Sequence, residues 1–132
     1  MKTISPALAL PFGTVVDLYC NLRTKGGSLR AVGGPLAGRV IATPQQVELA
    51  DVTFRVNAGG QSRARAEGVR NVHAFARGTV VAATGGARDD GVRVVYNPYR
   101  HDTFVRADSG TPVHQAAHLA LDGKECWCSG TA

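Results

Sequence analysis

The sequence is organised around the stretch Val92-Arg93-Val94-Val95-Tyr96-Asn97-Pro98-Tyr99-Arg100-His101-Asp102-Thr103-Phe104-Val105. It begins as a run of β-branched residues, which favour extended strands. Proline fixes its own φ, lacks an N–H and disfavours the helical region for the residue before it, so Asn97-Pro98 interrupts the run. The sequence therefore predicts a strand that ends near Tyr96, a tight turn, and a second strand from about Thr103.

The turn predicted within this stretch combines aromatic and cationic side chains. Tyr96 and Tyr99 flank it, and Arg93, Arg100 and His101 lie close by in the sequence. Aromatic faces beside guanidinium groups are the combination that holds phosphates and unstacked bases. The structural alternative is that the tyrosines form an edge of the core while their hydroxyl groups reach water. Both interpretations are open at this point.

The composition favours one β-rich domain. The chain has 132 residues, of which 44% are hydrophobic, and this is enough for a single globular core. Sixteen glycines and six prolines indicate short strands and turns rather than long helices. We predict a single domain over residues 1–132 that is mainly β, built as a curved antiparallel sheet or a partly open barrel of about seven strands. An α+β fold with one short helix is the alternative class.

Turn residues and periodicity place several local elements. Residues 1–13 are predicted to form an irregular N-terminal segment. Residues 57–70 have no clear apolar period and are predicted to form either a flexible basic loop or a short helix. A strand over residues 71–83 is predicted to form a hairpin with the strand that follows it. Asp122-Gly123 predicts a second hairpin near the C-terminus, because Asp-Gly favours a tight primed turn.

The five apolar residues of one predicted strand shift from odd-numbered to even-numbered positions halfway along it. They are Val47, Leu49, Val52, Phe54 and Val56. Because strand side chains alternate between the two faces of a sheet, this slip of one residue requires a bulge or a break, which we place at Ala50-Asp51. We predict that all five side chains are buried on one side of the sheet.

The positive charge is concentrated in the middle of the chain. The net charge is +5, and residues 55–106 contain nine arginines against four acidic residues. Arginine suits bidentate contacts with phosphate and stacking on rings, so the predicted partner is nucleic acid or a nucleoprotein, and a host protein is a further candidate. A solvated basic surface without a partner is the alternative. The candidate binding residues are Arg63, Arg65, Arg70, Arg77, Arg93, Tyr96, Tyr99, Arg100 and His101.

Four potential zinc ligands lie near the C-terminus. They are His114, His118, Cys126 and Cys128. The CxC spacing is not that of a zinc knuckle, and on a strand the two histidines would lie about 13 Å apart, too far for one ion. We therefore expect no metal and no cofactor.

The sequence also contains side chains of the types that form a catalytic arrangement. His73, His101 and Asp102 are candidate bases and orienting groups, with Ser109 or Cys20 as the nucleophile. No sequence signal places them on a strained elbow or beside an oxyanion hole, and no glycine loop has the phosphate-binding pattern. The prediction is that the protein is not an enzyme.

Three cysteines are too few, and odd in number, for a disulfide framework. No secretory segment is recognisable and no stretch is long enough for a transmembrane helix. We expect a reducing cytoplasm and no membrane partner. The oligomeric state is open.

Four stretches together resemble a known family. They are Asn21-Leu22, residues 70–78, residues 96–105 and residues 110–113. The family comprises small uncharacterised proteins carried by prophages and plasmids of high-GC proteobacteria. The resemblance implies a mobile-element origin and a bacterial cytoplasm, and it brings no known activity or site.

These observations lead to one expected function and one alternative. The expected function is that of a non-enzymatic binding protein of phage or mobile-element origin that engages nucleic acid or a host nucleoprotein. One version is an inhibitor of a host defence nuclease. The alternative is a structural or assembly component of a phage particle.

Overall fold

The computed structural model describes residues 12–20, 27–35, 37–44, 46–68, 73–82, 91–122 and 125–131. Within these residues the chain forms nine strands and one helix. In chain order they are β1 (Val15–Cys20), β2 (Gly27–Ala31), β3 (Val40–Ala42), β4 (Gln46–Val56), α1 (Ala58–Glu67), β5 (Ala74–Ala82), β6 (Val92–Val95), β7 (Val105–Arg106), β8 (Gln115–Asp122) and β9 (Glu125–Ser129).

The nine strands form one sheet in the order β3-β2-β1-β5-β4-β8-β9-β6-β7. Every pairing between the named strands is antiparallel, and β4 lies at the centre between β5 and β8. The predicted mainly β fold with one short helix is confirmed, and the sheet is not closed into a barrel. The described residues form nine strands rather than about seven, and the edge strands β3 and β7 are only three and two residues long.

The sheet curves around its core. A Cβ atom built on Gly27 of β2 would lie 3.1 Å from a methyl group of Leu121 on β8. In a flat sheet β2 and β8 would be about 19 Å apart, since four strand spacings separate them. The face that carries the core is called the inner face below, and the opposite one the outer face. The core includes Leu29, Leu49, Leu119 and Cys128 from four different strands.

The predicted bulge is present in β4. The register between β4 and β5 shifts between Ala50 and Thr53, and Asp51 has a φ of 54°, the left-handed region that few non-glycine residues adopt. Opposite the bulge lies Gly78, where an added Cβ would approach both the Ala50 carbonyl and the Val52 side chain to 3.0 Å. A side chain there would press on the bulge.

The bulge buries the residues on both of its sides. Val47, Leu49, Val52 and Phe54 are all buried, as predicted, whereas Val56 is only partly buried.

Residues 58–67 form the helix rather than the loop. Asn57 caps its first turn, since its side-chain oxygen accepts a hydrogen bond from the Gly60 N–H at 2.9 Å. Gly68 ends the helix with a φ of 68° and donates its N–H to the Ala64 carbonyl. The side chains of Gln61 and Ala64 are buried, so α1 packs one face on the protein.

One predicted hairpin is wrong and one is confirmed. The strand expected over residues 71–83 is β5, which pairs with β1 and β4 instead of β6. A strand has only two edges, and both edges of β5 are taken, so β6 pairs with β7 and β9. The hairpin predicted at Asp122-Gly123 is formed by β8 and β9, with Asp122 opposite Glu125.

Some predictions fall outside the described residues. These are most of the irregular N-terminal segment, the position of Arg70, and the connecting residues of the two predicted hairpins, at 83–90 and 123–124. In the part of the chain that is described, no helix is long and apolar enough to cross a membrane.

Candidate nucleic-acid interface

Two cross-strand rows on the outer face bring aromatic and cationic side chains together. Core residues such as Leu18 and Ala76 point inward from β1 and β5. The residues that alternate with them along each strand therefore point outward. The first row is Arg30, Asp17, Arg77 and Thr53, and the second is Ser28, Tyr19, Phe75 and Arg55. We call the group Asp17, Tyr19, Arg30, Arg55, Phe75 and Arg77 the cation–aromatic face.

The two rings of this face form a pair. The ring centroids of Tyr19 and Phe75 are 5.4 Å apart and the planes are tilted by 56°. The guanidinium carbon of Arg30 lies 4.9 Å from the centroid of Tyr19, and that of Arg77 lies 5.7 Å from the centroid of Phe75. Both distances are within the range of cation–π attraction. Rings and guanidinium groups therefore hold one another in a fixed arrangement.

One arginine of the face is neutralised by a carboxylate. Arg77 donates two hydrogen bonds to Asp17, from Nε at 2.8 Å and from Nη2 at 3.1 Å. Asp17 is buried. The hydrogen bond with Asp17 raises the pKa of Arg77 above its usual value. The pair fixes the position of Arg77 and removes one positive charge from the face.

The other two arginines keep their charge. Arg30 makes no hydrogen bond or ion pair with the described part of the chain, and its Nε is buried without an acceptor there. Arg55, directly opposite Phe75 on β4, is exposed and has no acidic partner among the same residues. Burial raises the pKa of Tyr19, and Arg30 opposes that shift. Tyr19 is thus a neutral phenol beside the Arg30 guanidinium group.

The predicted turn is built differently. Tyr96 points inward, and its ring centroid lies 5.2 Å from that of Phe104. Its hydroxyl accepts a hydrogen bond from Nε2 of Gln61 at 3.0 Å and lies 2.8 Å from Nε2 of His73. Burial raises the pKa of Tyr96. The ring of Tyr96 thus lies at the edge of the core, as the structural alternative expects, whereas its hydroxyl is engaged by protein groups.

Arg65 and His101 also support the turn itself. Arg65 donates hydrogen bonds to the carbonyl groups of Pro98 and His101 and to the Asp102 carboxylate. The Asn97 N–H donates to Nδ1 of His101 at 3.0 Å. Arg65 thus holds the turn against α1, whereas His101 closes the turn on its own Asn97.

Two predicted residues at the tip of the turn remain open to solvent. Tyr99 is 60% exposed, and Arg100 is also exposed. The structure thus gathers five of the candidate binding residues around the turn, with two of them at its surface.

The remaining candidate residues lie elsewhere. Arg77 belongs to the cation–aromatic face, and Arg93 on β6 lies four strands further along the sheet, where it contacts Glu125 at 3.3 Å. Arg63 is exposed on α1. The described arginines are therefore distributed over several surfaces.

Sequence reasoning missed five of the six residues of the cation–aromatic face: Asp17, Tyr19, Arg30, Arg55 and Phe75. The local signal was present, because polar or aromatic residues alternate with core residues in β1 and β5. What was missing was the pairing of these two strands, which are far apart in the chain. Only that pairing places Tyr19 beside Phe75.

The four potential zinc ligands do not share a face. Cys126 and Cys128 lie opposite Leu121 and Leu119 and are buried in the core. His118 points to the outer face, where its Nε2 lies 2.7 Å from Oε1 of Glu48. Within the described ranges no group of three or more His, Cys, Asp or Glu side chains is arranged to hold a metal ion.

Comparison with known proteins identifies the family of this chain. Residues 9–129 match the family described as Mycobacterium phage L5 gene 82 protein, and the chain belongs to this phage family. The gene 82 protein of Mycobacterium phage L5 is 35% identical over 95 residues, which is 71% of this chain and 74% of that protein. No solved structure matches. The phage origin implied by the resemblance is confirmed, but the relative comes from a mycobacterial rather than a proteobacterial phage.

Proposed function

We propose that this phage protein is a non-enzymatic nucleic-acid-binding protein and that the cation–aromatic face is its binding surface. The observation that carries the proposal is the Tyr19–Phe75 pair, with centroids 5.4 Å apart, flanked by arginines on both neighbouring strands. Aromatic faces beside arginines can contact bases and phosphates at the same time.

The charge of the face supports this proposal. Three arginines and one carboxylate lie in the two rows, and Asp17 is taken by Arg77. Arg30 and Arg55 are left to contact phosphate, and arginine forms bidentate hydrogen bonds with it. A host nucleoprotein, such as a defence nuclease with its nucleic acid, is a partner in which the same contacts can be made.

The environment of Asp17 supports a binding role over a catalytic one. Both of its oxygens accept hydrogen bonds from Arg77. Its two oxygens are therefore engaged within the protein by the Arg77 guanidinium group. The remaining groups of the face are rings and guanidinium groups, which are suited to binding.

The proposal is tested by measuring affinity at several salt concentrations with a labelled single-stranded oligonucleotide and a labelled duplex. We expect the association constant to fall as the salt concentration rises. In a plot of its logarithm against the logarithm of the salt concentration, the slope should become shallower by about one unit for each phosphate contact removed. The double variant Arg30→Glu/Arg55→Glu should lose most of the binding.

Arg93→Glu is the matched control, because it reverses one charge on a distant strand of the same outer face. It should leave affinity nearly unchanged. The proposal is overturned if the unmodified protein binds neither oligonucleotide at low salt, or if Arg93→Glu weakens binding as much as the double variant.

A second candidate function, assembly in a phage particle, is favoured by an exposed apolar strip. Val15 and Val81 are 43% and 49% exposed on the outer faces of β1 and β5, and Phe12 is 54% exposed just before β1. Exposed apolar groups of this kind can bind another protein. Sedimentation across a range of concentrations tests this, since Val15→Glu/Val81→Glu should abolish any self-association.

A further inference from the structure

We infer that the ligand of the cation–aromatic face is a single-stranded nucleic acid, with bases stacked on Tyr19 and Phe75 and the backbone crossing the strands between Arg30 and Arg55. This inference rests on the proposed function and names the form of nucleic acid that the same surface takes.

The position of the rings within the sheet favours unpaired bases. Tyr19 and Phe75 lie on adjacent strands and are half-buried between flanking side chains, so they offer ring surface without protruding. The bases of a duplex are stacked on one another and present only their edges. An unpaired base can turn its face to a ring, and such stacking tolerates any base because every base has a π face.

The arginines flank the rings at a suitable separation. Arg30 lies on β2 and Arg55 on β4, the strands outside those that carry the rings. Three strand spacings, or about 14 Å, separate β2 from β4. Phosphates on either side of the stacked bases can therefore each meet one guanidinium group.

Arg77 acts as a positioning residue in this arrangement. Its bidentate contact with Asp17 fixes its guanidinium group near Phe75, so one side of that ring is supported before any ligand binds. Aromatic and guanidinium planes in fixed positions reduce the entropy that is lost when the ligand is ordered.

The turn at residues 97–102 is less suited to this ligand. It carries one exposed ring, that of Tyr99, and the highly exposed carboxylate of Asp102 lies nearby. That carboxylate is paired with Arg65 at 3.1 Å, so the pair adds no net positive charge there, and the second tyrosine, Tyr96, is turned into the protein.

The test compares labelled oligo(dT), oligo(rU) and a mixed-sequence duplex by fluorescence anisotropy at one low salt concentration. The unmodified protein should bind at least one single strand more tightly than the duplex. Tyr19→Ala and Phe75→Ala should each lower single-strand affinity by about 5- to 150-fold, the range of a lost base–ring stack. The salt slope should not change, since no phosphate contact is removed.

Matched variants separate stacking from packing. Phe75→Tyr and Tyr19→Phe keep a ring and should retain affinity, whereas Tyr19→Leu and Phe75→Leu keep apolar bulk without the ring and should lose affinity as the alanine variants do. Thermal unfolding shows which variants are folded, and the leucine variants carry the test if an alanine variant is not. Ultraviolet crosslinking to the single strand, followed by peptide mass spectrometry, should mark Tyr19 or Phe75.

Three results would overturn the inference, and one of them would also overturn the proposed function. Duplex binding that equals single-strand binding and is unaffected by the ring variants would overturn this inference while leaving the proposed function in place. Crosslinks at Tyr99, with none at the two rings, would also overturn it. No binding to any of the three probes would overturn both.

Discussion

Two aromatic groups lie on opposite faces of this sheet, and they differ in what surrounds them. The inner aromatic cluster runs from Phe54 through Phe104 and Tyr96 to His73, with successive ring centroids 4.8, 5.2 and 5.6 Å apart. On the outer face the rings of Tyr19 and Phe75 lie beside arginines.

The two regions differ most in whether their polar groups have hydrogen-bond partners. In the inner aromatic cluster the Tyr96 hydroxyl is enclosed by Gln61 and His73, and the same Gln61 amide donates to the carbonyl groups of His101 and Asp102. On the outer face Arg30 and Arg55 have no hydrogen-bond partner in the described part of the chain. The two regions contain similar residue types, so residue type does not separate the stabilising cluster from the proposed binding surface. The satisfaction of the hydrogen-bonding groups does.

The largest effect is expected from Phe54→Ala in the inner aromatic cluster. Phe54 is 6% exposed and packs on Phe104, so its removal leaves a cavity. The free energy of unfolding should fall by about 3 to 5 kcal/mol, measured with a chemical denaturant. A loss below about 1 kcal/mol would show that the cluster is not part of the stabilising core.

A smaller loss of stability is expected from Gln61→Ala. The change leaves the Tyr96 hydroxyl and two backbone carbonyl groups without their donor, which should cost about 1 to 3 kcal/mol. Arg63→Ala on the same helix is the matched control and should change stability by less than about 0.5 kcal/mol. Equal losses in the two variants would mean that helix propensity, rather than the hydrogen bonds, explains the effect.

The inner hydroxyl should also make stability depend on alkaline pH. Burial raises the pKa of Tyr96, so the folded state holds the phenol proton more tightly than the unfolded state. This contribution is complete below the unfolded pKa of about 10 and is lost as pH rises through the folded pKa.

Tyr96→Phe should therefore show a weaker decline in unfolding free energy above about pH 10 than the unmodified protein. Tyr19 has a raised pKa for the same reason, so Tyr19→Phe should reduce the decline independently. An identical decline in all three proteins would contradict the burial of both hydroxyl groups.

The smallest effect is expected from Tyr99→Ala. Tyr99 is 60% exposed, so stability should change by less than about 0.5 kcal/mol. Single-strand affinity should also be unchanged if the cation–aromatic face is the binding surface. A loss of about 1 to 3 kcal/mol in binding would instead assign the stacking contact to the turn.

Local signals predicted the elements whose cause is local. The slip of apolar phase around Asp51 located the bulge, because alternation along a single strand is sufficient to reveal it. Asp122-Gly123 located the last hairpin for the same reason. The pairing of β5 was not predictable in this way, because β1 is distant in sequence. The alternation of inward and outward side chains along β5 fits pairing with β1 as well as pairing with β6.

The candidate site shows the same division. The sequence placed Tyr96, Tyr99 and Arg100 together correctly, because one turn holds them. The inward position of Tyr96 involves Gln61, an uncharged residue of a distant segment that carries no signal of its own. The cation–aromatic face required two strand pairings before its residues could be recognised as neighbours.

The central position of β4 has a consequence for synthesis of the chain. Its two neighbours are β5, which follows after α1, and β8, which follows much later. Leu49 of β4 lies opposite Leu119 of β8, so the core beneath the central strand is not covered until β8 has left the ribosome. Nascent chains that end before β8 should expose apolar surface and engage chaperones. Completed chains should fold in milliseconds to seconds, as is usual where most contacts join distant segments.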